Sequence, residues 1–276
     1  AGEYTVAAAE YGLATGFGDT GSVGIGGITL GGGVGYLVRK YGLTIDTLLA
    51  AEIVTADGQI LYIDADNHPD LFWAIRGGGG NFGVVTRFKF QLHEVGEVAG
   101  GFLILPATPD SVAALMAAAE AAREDLSTIA NIMVAPPMPF MPEVAHGKLI
   151  IFALMIYAGP VEEAGRVYAP FRAIAEPLAD MIQPMRYPDI IQEEGEGDYH
   201  PTAAGRTLFL DHVGRDEARR IIDYLTASNA PMRVVQLRVL GGARARAPAA
   251  ATAFTHRPAP HTANAAAFYT GAAGRP

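Results

Sequence analysis

The chain has 276 residues, half of them apolar, with one tryptophan, no cysteine and a formal net charge of −9. That length and apolar content suffice for one large domain or two smaller ones. Diffuse acidity excludes the clustered basic face of a nucleic-acid binder, and the lack of cysteine excludes disulfides, iron–sulfur clusters, Cys-ligated zinc and thiol nucleophiles.

Residues 1–97 are rich in glycine and in short elements. A helix is predicted over 5–14, followed by GDTGSVGIGGITLGGGVG at 18–35. An amphipathic segment, 36–40, is closed by Gly42, the residue type that ends helices. Residues 51–65 read as a β-hairpin turning at Asp57-Gly58, 70–76 as a short helix, and 83–92 as a strand with one wet face. From Gly100 the elements lengthen, with strands predicted at 101–107, 129–135, 148–158, 206–212, 232–240 and 262–269. Helices are predicted from Asp110, as cap, to 125, over 161–181 and over 216–228. Residues 184–201 read as irregular, and the alanine-rich 245–253 as loop. The most apolar run, KLIIFALMIYA at 148–158, is far too short to span a bilayer and suits a buried strand. A soluble protein without a membrane partner is expected, with the cytoplasm slightly favoured. Strands joined through single helices, with neighbours also paired directly, predict an α+β fold in which helices cover one face of an antiparallel sheet.

The chemical motifs narrow the choices. Asp-Thr-Gly-Ser at 19–22 would supply one carboxylate of an aspartic-protease dyad, but the chain holds no second Asp-Thr/Ser-Gly. Residues 78–83 satisfy G-x-G-x-x-G, yet a helix leads in and a strand leads out, the reverse of a Rossmann site. The absence of Gly-Lys-Ser/Thr excludes a P-loop. The histidines are scattered without H-x-x-x-H spacing, so no metal site is expected, and His256 and His261 read as loop histidines. What remains is two glycine clusters, 24–35 and 77–83. Glycine inside an element costs roughly 0.5–1 kcal/mol relative to alanine. Such density is tolerated where backbone must approach a ligand. Val23, Ile25, Ile28, Leu30 and Val34 interleave the first cluster, unlike the polar composition of a linker. Loops of this kind expose backbone amides that bind anions, and a ligand with phosphates and a long flat body would suit the pair.

LGGGVGYLVRKYGLTID (30–46), IVTADGQ (53–59) and DLFWAIRGGGGNFGVVT (70–86), in that order, resemble the FAD-linked oxidases of the berberine bridge enzyme type, in the vanillyl-alcohol oxidase/p-cresol methylhydroxylase superfamily. VVQLRVLGGARARAP (234–248) and AFTHRPAP (253–260) are similar to that family's substrate-domain strand and the loop before its last sheet strand. The resemblance implies a partial FAD-binding lobe of the PCMH type over 1–97 and a substrate-binding domain over 98–276. It implies FAD contacts from Ser22, Gly24, Ile25, Gly26, Gly27 and Ile28, apolar contacts from Val34 and Ile53, and closure by Gly80, Asn81 and Gly83. Thr20 stands where some members link a Cys to the flavin, so that link does not form here. The family's His-bearing amino-terminal lobe and its Tyr- and Asn-rich carboxyl segment match nothing in the chain, which is therefore expected to be a fragment of a longer enzyme.

The base of plant members, a Glu, matches Ala263 or Asn264, so it is not carried over. Asn264, His261 and Tyr199 are the candidate catalytic residues. The implied reaction is oxidation of a CH–OH or CH–NH group in a small molecule by hydride transfer to flavin N5, with O2 as acceptor. The alternative is a non-catalytic remnant that keeps the scaffold and binds FAD poorly. Self-association through the uncovered face of the FAD lobe is also expected.

Overall fold

A computed structural model describes residues 1–137, 139, 141–191 and 202–269. The chain divides into two units. The first gathers Ala1–Val98, the described part of Met185–Glu194, and Gly241–Pro258. The second gathers Ala99–Pro184 and the described parts of Gly195–Leu240 and Ala259–Pro276. The first crossing between the units falls at 98/99, and two later stretches return to the first unit, which the expected division into 1–97 and 98–276 did not include.

The first unit opens with α1 (Gly2–Ala9), β1 (Leu13–Ala14), α2 (Ile25–Gly31) and α3 (Val38–Tyr41). It continues with β2 (Leu48–Val54), β3 (Ile60–Asp64), α4 (Pro69–Ile75), β4 (Val84–Phe90) and β5 (His93–Glu94). α1 ends earlier than expected because Gly12 takes a φ of 67° and residues 13–14 pair with β5. Residues 25–31, expected as loop, form α2. Thr29 is fully buried there and Leu30 packs on the neighbouring core, so burial overrides the poor helix propensity of three glycines. The hairpin forms as expected, with β2 and β3 antiparallel in the register Ile53↔Leu61 and Gly58 at φ 82° in the turn. β4 pairs with the other edge of β2, and α4 places Phe72 and Ile75 against Ala51, Ile53 and Ile63.

Hydrogen bonds explain why 241–258 belongs to this unit. Arg257 donates from both Nη atoms to the Asp46 carboxylate, at 3.1 and 2.6 Å, and Asp46 also accepts from the Leu43 amide at 2.8 Å. Arg244 donates to the carbonyl of Arg257 at 3.1 Å and to that of His256. Burial, followed by the neighbouring Arg257 cation, pushes the Arg244 guanidinium down to about 10, while Asp46 opposes the shift. Trp73 Nε1 and Arg76 Nη2 donate to the carbonyls of Ala250 and Ala251, at 2.8 and 3.1 Å.

The second unit begins with β6 (Glu97–Pro106), α5 (Pro109–Ala121), β7 (Leu126–Val134), β8 (Leu149–Tyr157), α6 (Ala164–Arg172), β9 (Ala179–Asp180) and β10 (Gln183–Arg186). β11 (Thr202–Leu210), α7 (Arg215–Ala227) and β12 (Met232–Val239) follow; after α8 (Gly242–Arg246), in the returning stretch, β13 (His261–Tyr269) completes the sheet. α8 and a 3-10 turn at 249–251 occupy the stretch expected as loop. Thr108, not Asp110, caps α5: its Oγ1 accepts from the Ser111 amide at 3.0 Å, and Ser111 Oγ accepts from the Thr108 amide at 2.8 Å. The helix expected over 161–181 stops at Arg172, with Pro170 in its last turn removing a donor.

The large sheet runs β10-β6-β8-β7-β12-β13-β11, with β9 also on β6. The registers of β6, β7, β8, β11, β12 and β13 are antiparallel. Helices α5, α6 and α7 cover one face, where Leu115, Met116, Tyr168, Phe171 and Leu225 pack on Leu105, Ile132, Met155 and Leu237. On the opposite face, a smaller cluster around Ile104, Ile150 and Met141 covers one end. Among the described residues no helix is long and apolar enough to cross a membrane.

Candidate cofactor and substrate surfaces

In the first unit the two glycine clusters meet. The Leu30 carbonyl, near the end of α2, accepts from the amides of Gly77 and Gly79, at 3.1 and 3.0 Å. The glycines then separate into two kinds. A methyl group built on Gly32 would lie 2.8 Å from Phe254, on Gly77 2.6 Å from the Phe254 amide, and on Gly35 2.6 Å from the Gly18 amide. Close packing requires those three. A methyl built on Gly24, Gly26, Gly27, Gly31 or Gly80 would meet nothing within 4 Å among the described residues. The chain's own packing does not explain these five, and bare backbone there leaves room for another molecule to approach.

Ser22, Gly24, Gly27, Gly80 and Asn81 are exposed, while Ile25, Gly26, Ile28 and Val34 are half-buried. The Asn81 side-chain amide donates to the Gly78 carbonyl at 3.0 Å. Ile53, expected against the cofactor, is 0 % exposed on β2, where its side chain packs with Phe72 and Ile75 of α4. Gly83 serves packing as well, since a methyl there would lie 2.9 Å from Ile53. Beside the Gly21-Ser22 turn is a cleft of about 540 Å3, lined also by α1 and by Pro188 and Ile191. The adjoining Tyr187 is buried, and its hydroxyl has no hydrogen-bond partner among the described residues. Burial pushes its phenol well above the usual range, and Tyr36 and the Asp19 carboxylate add to the rise.

In the second unit, the helix-free face of the sheet carries a polar row. The registers place Thr207 beside Asn264, Asn264 beside Gln236, Gln236 beside Asn131, and Asn131 beside Phe152. Two of these side chains are joined to each other and to Arg238: Arg238 Nε donates to Gln236 Oε1 at 2.9 Å, Gln236 Nε2 to Asn131 Oδ1 at 3.0 Å, and Asn131 Nδ2 to the Phe152 carbonyl at 3.3 Å. Asn264 is exposed on this face.

His261, three residues earlier on the same strand, points the other way, as strand alternation demands. It is 1 % exposed on the helix-covered side, with Nε2 2.8 Å from Glu120 Oε1 on α5. The structure therefore does not bring His261 and Asn264 together, and Tyr199 lies outside the described residues. Asn131, Gln236 and Arg238 were not singled out in the sequence. The available signal was the period-two placement of Gln236 and Arg238 in the run 234–239, whose other residues are Val and Leu.

A family model described as an FAD binding domain matches residues 3–64, across α2 and the first glycine cluster. FAD-linked oxidoreductase pgmH of Aspergillus terreus is 36% identical over 213 residues, covering 72% of this chain and 41% of the relative. The structure of 6-hydroxy-D-nicotine oxidase from Arthrobacter nicotinovorans superposes with a TM-score of 0.79 at 26% identity, over 99% of this chain and 60% of that one. BBE-like #28 from Arabidopsis thaliana, at 23% identity, shares the fold with a TM-score of 0.82 over 98% of this chain and 57% of its own. The chain thus spans about two fifths of the length of the first curated relative. The five open glycines, four of them on or beside α2, fit a cofactor that must be approached by bare backbone. Matched domain and sequence relatives place the chain among the FAD-linked oxidoreductases, with FAD as its cofactor, and it shares its fold with the BBE-like structures.

Proposed function

We propose that this chain serves the oxidation of a CH–OH or CH–NH group in a small molecule by hydride transfer to flavin N5, with O2 as the acceptor. FAD, when bound, supplies the two-electron acceptor, and the chain supplies placement. Ser22 and the open glycines of α2, with Gly80, would hold the cofactor by close backbone approach. The helix-free face of the large sheet would meet the substrate. Asn264 would orient the reacting hydroxyl or amine by hydrogen bonding, with Thr207 beside it in register. An amide cannot take a proton at neutral pH, so Asn264 orients and does not act as the base.

The observation that carries this reading is that Gly24, Gly26, Gly27, Gly31 and Gly80 face open space, four of them inside the segment matched by the FAD binding domain. The test is a visible spectrum of the chain after incubation with FAD and removal of excess. A retained flavin band, lost on Gly27→Val, supports the proposal. No retained flavin in the wild type favours the alternative, a scaffold that binds FAD poorly.

A further inference from the structure

We propose a binding site for a flat aromatic carboxylate on the helix-covered side of the large sheet, beside the end of α7 and facing away from the proposed substrate surface. Side-chain volume sets the shape of this region. Leu225 anchors the last turn of α7 in the core. Next to it, β13 and the edge strand β11 present Ala265, Ala267 and Ala204 on the side where Ala263 is buried, with Ala204 opposite Ala267 in register. Methyl groups do not fill the space beside a helix end, and a groove of about 390 Å3 remains over them. That volume lies within the range of small-molecule sites.

The wall of the groove is braced. Arg233, opposite Ala267 on β12, donates from Nε to the Leu225 carbonyl at 2.6 Å and from Nη1 to the Ala230 carbonyl at 2.8 Å. Both bonds tie the end of α7 and the loop after it to the sheet. Tyr224, 77% exposed in the last turn of α7, lines the groove and offers a ring on which a flat body can stack. Charge then selects the polar end of the ligand. The chain carries −9 overall, yet the described lining of the groove holds two arginines and no carboxylate. Arg206, opposite Ala265 on β11, is exposed, and its Nη1 donates to the Gly205 carbonyl at 3.1 Å, folding the guanidinium back along the edge strand. Its other donors are bonded to no described residue. A planar fork of donors matches a carboxylate. An edge strand uses a charge to deter pairing with another chain, which would account for Arg206 alone. It does not account for the alanine floor, the braced helix end and the exposed tyrosine beside it.

The test titrates the 276-residue chain by calorimetry with cinnamate and with cinnamamide, its neutral counterpart of similar shape. Cinnamate is expected to bind about tenfold more tightly than cinnamamide, the scale of a hydrogen bond to a charged group. Arg206→Gln should remove that preference, Tyr224→Ala should weaken both probes several-fold, and Ala265→Leu, which fills the groove, should abolish both. All three positions are exposed, so the chain should stay folded, and the melting temperature checks this. If Ala265→Leu unfolds the chain, the other two variants still decide. No cinnamate binding, equal affinities for the two probes, or an unchanged preference in Arg206→Gln overturns the proposal. Asn264→Trp, on the other face of the sheet, should leave cinnamate bound. Loss of binding in Asn264→Trp with full binding in Ala265→Leu would put the probe on the substrate face, overturning this site while leaving the reading of that face intact.

Discussion

The two units hold themselves together by different means. The second depends on a sheet face dense with Leu, Ile and Met beneath three helices, and a residue there is supported from many sides. The first has a smaller apolar core and relies on directed contacts: the Arg257–Asp46 pair, guanidinium-to-carbonyl bonds and close glycine packing on Phe254. The difference teaches that apolar packing tolerates partial loss, whereas a buried charge pair does not, because removing one partner strands the other.

The largest effect is therefore expected from Arg257→Met. Arg257 is 1 % exposed, and its loss leaves the Asp46 carboxylate uncompensated, which typically costs about 3–5 kcal/mol. Denaturant unfolding should show it, and Asp46→Asn made on top of Arg257→Met should recover part of the loss. Recovery of nothing would mean that the pair is not what holds 241–258. In the second unit, Leu105→Ala, at a position 0 % exposed, is expected to cost about 2–5 kcal/mol, with no single second change restoring it.

Much of this was legible in the sequence, and the misses have physical causes. The hairpin at Asp57-Gly58 and the antiparallel sheet follow from short-range signals: a turn that needs positive φ, and side chains alternating with period two. The return of 241–258 follows from a pairing between residues 211 apart, which leaves no local mark. α2 escaped notice because glycine is a poor helix former and the burial of Thr29 is a tertiary fact. His261 is a different case: the predicted strand began at Thr262 and left His261 in the loop before it, whereas β13 begins at His261, so alternation turns its side chain away from Asn264. The same alternation pointed to Gln236 and Arg238, whose polar side chains recur every second residue in a run of Val and Leu.

A contrast within the glycines sharpens the comparison further. Gly77 has a φ of 113° and Phe254 against it, so Gly77→Ala is expected to destabilise by about 1–3 kcal/mol through strain and overlap. A drop in the unfolding midpoint without a change in denaturant slope would show it, and Phe254→Ala should not rescue it, because the added methyl meets the amide nitrogen, Cα and Cβ of residue 254, which alanine keeps.

The smallest change in stability is the most telling one. Gly27 lies inside α2, where a methyl would meet nothing within 4 Å, so Gly27→Ala removes the conformational penalty of a helical glycine at no packing cost. The protein should become more stable by roughly 0.5–1 kcal/mol. If the glycine is kept for the cofactor, the same substitution should lower FAD retention, because the added methyl occupies the surface that bare backbone leaves open. Stability measured by thermal melting without FAD, and flavin retention measured by absorbance, would then move in opposite directions. A rise in both would mean that the open glycines are not a cofactor surface, and a fall in both would mean that the helix itself is strained. Opposite signs from one methyl group would tie the glycines of α2 to the ligand, since no contact among the described residues accounts for them.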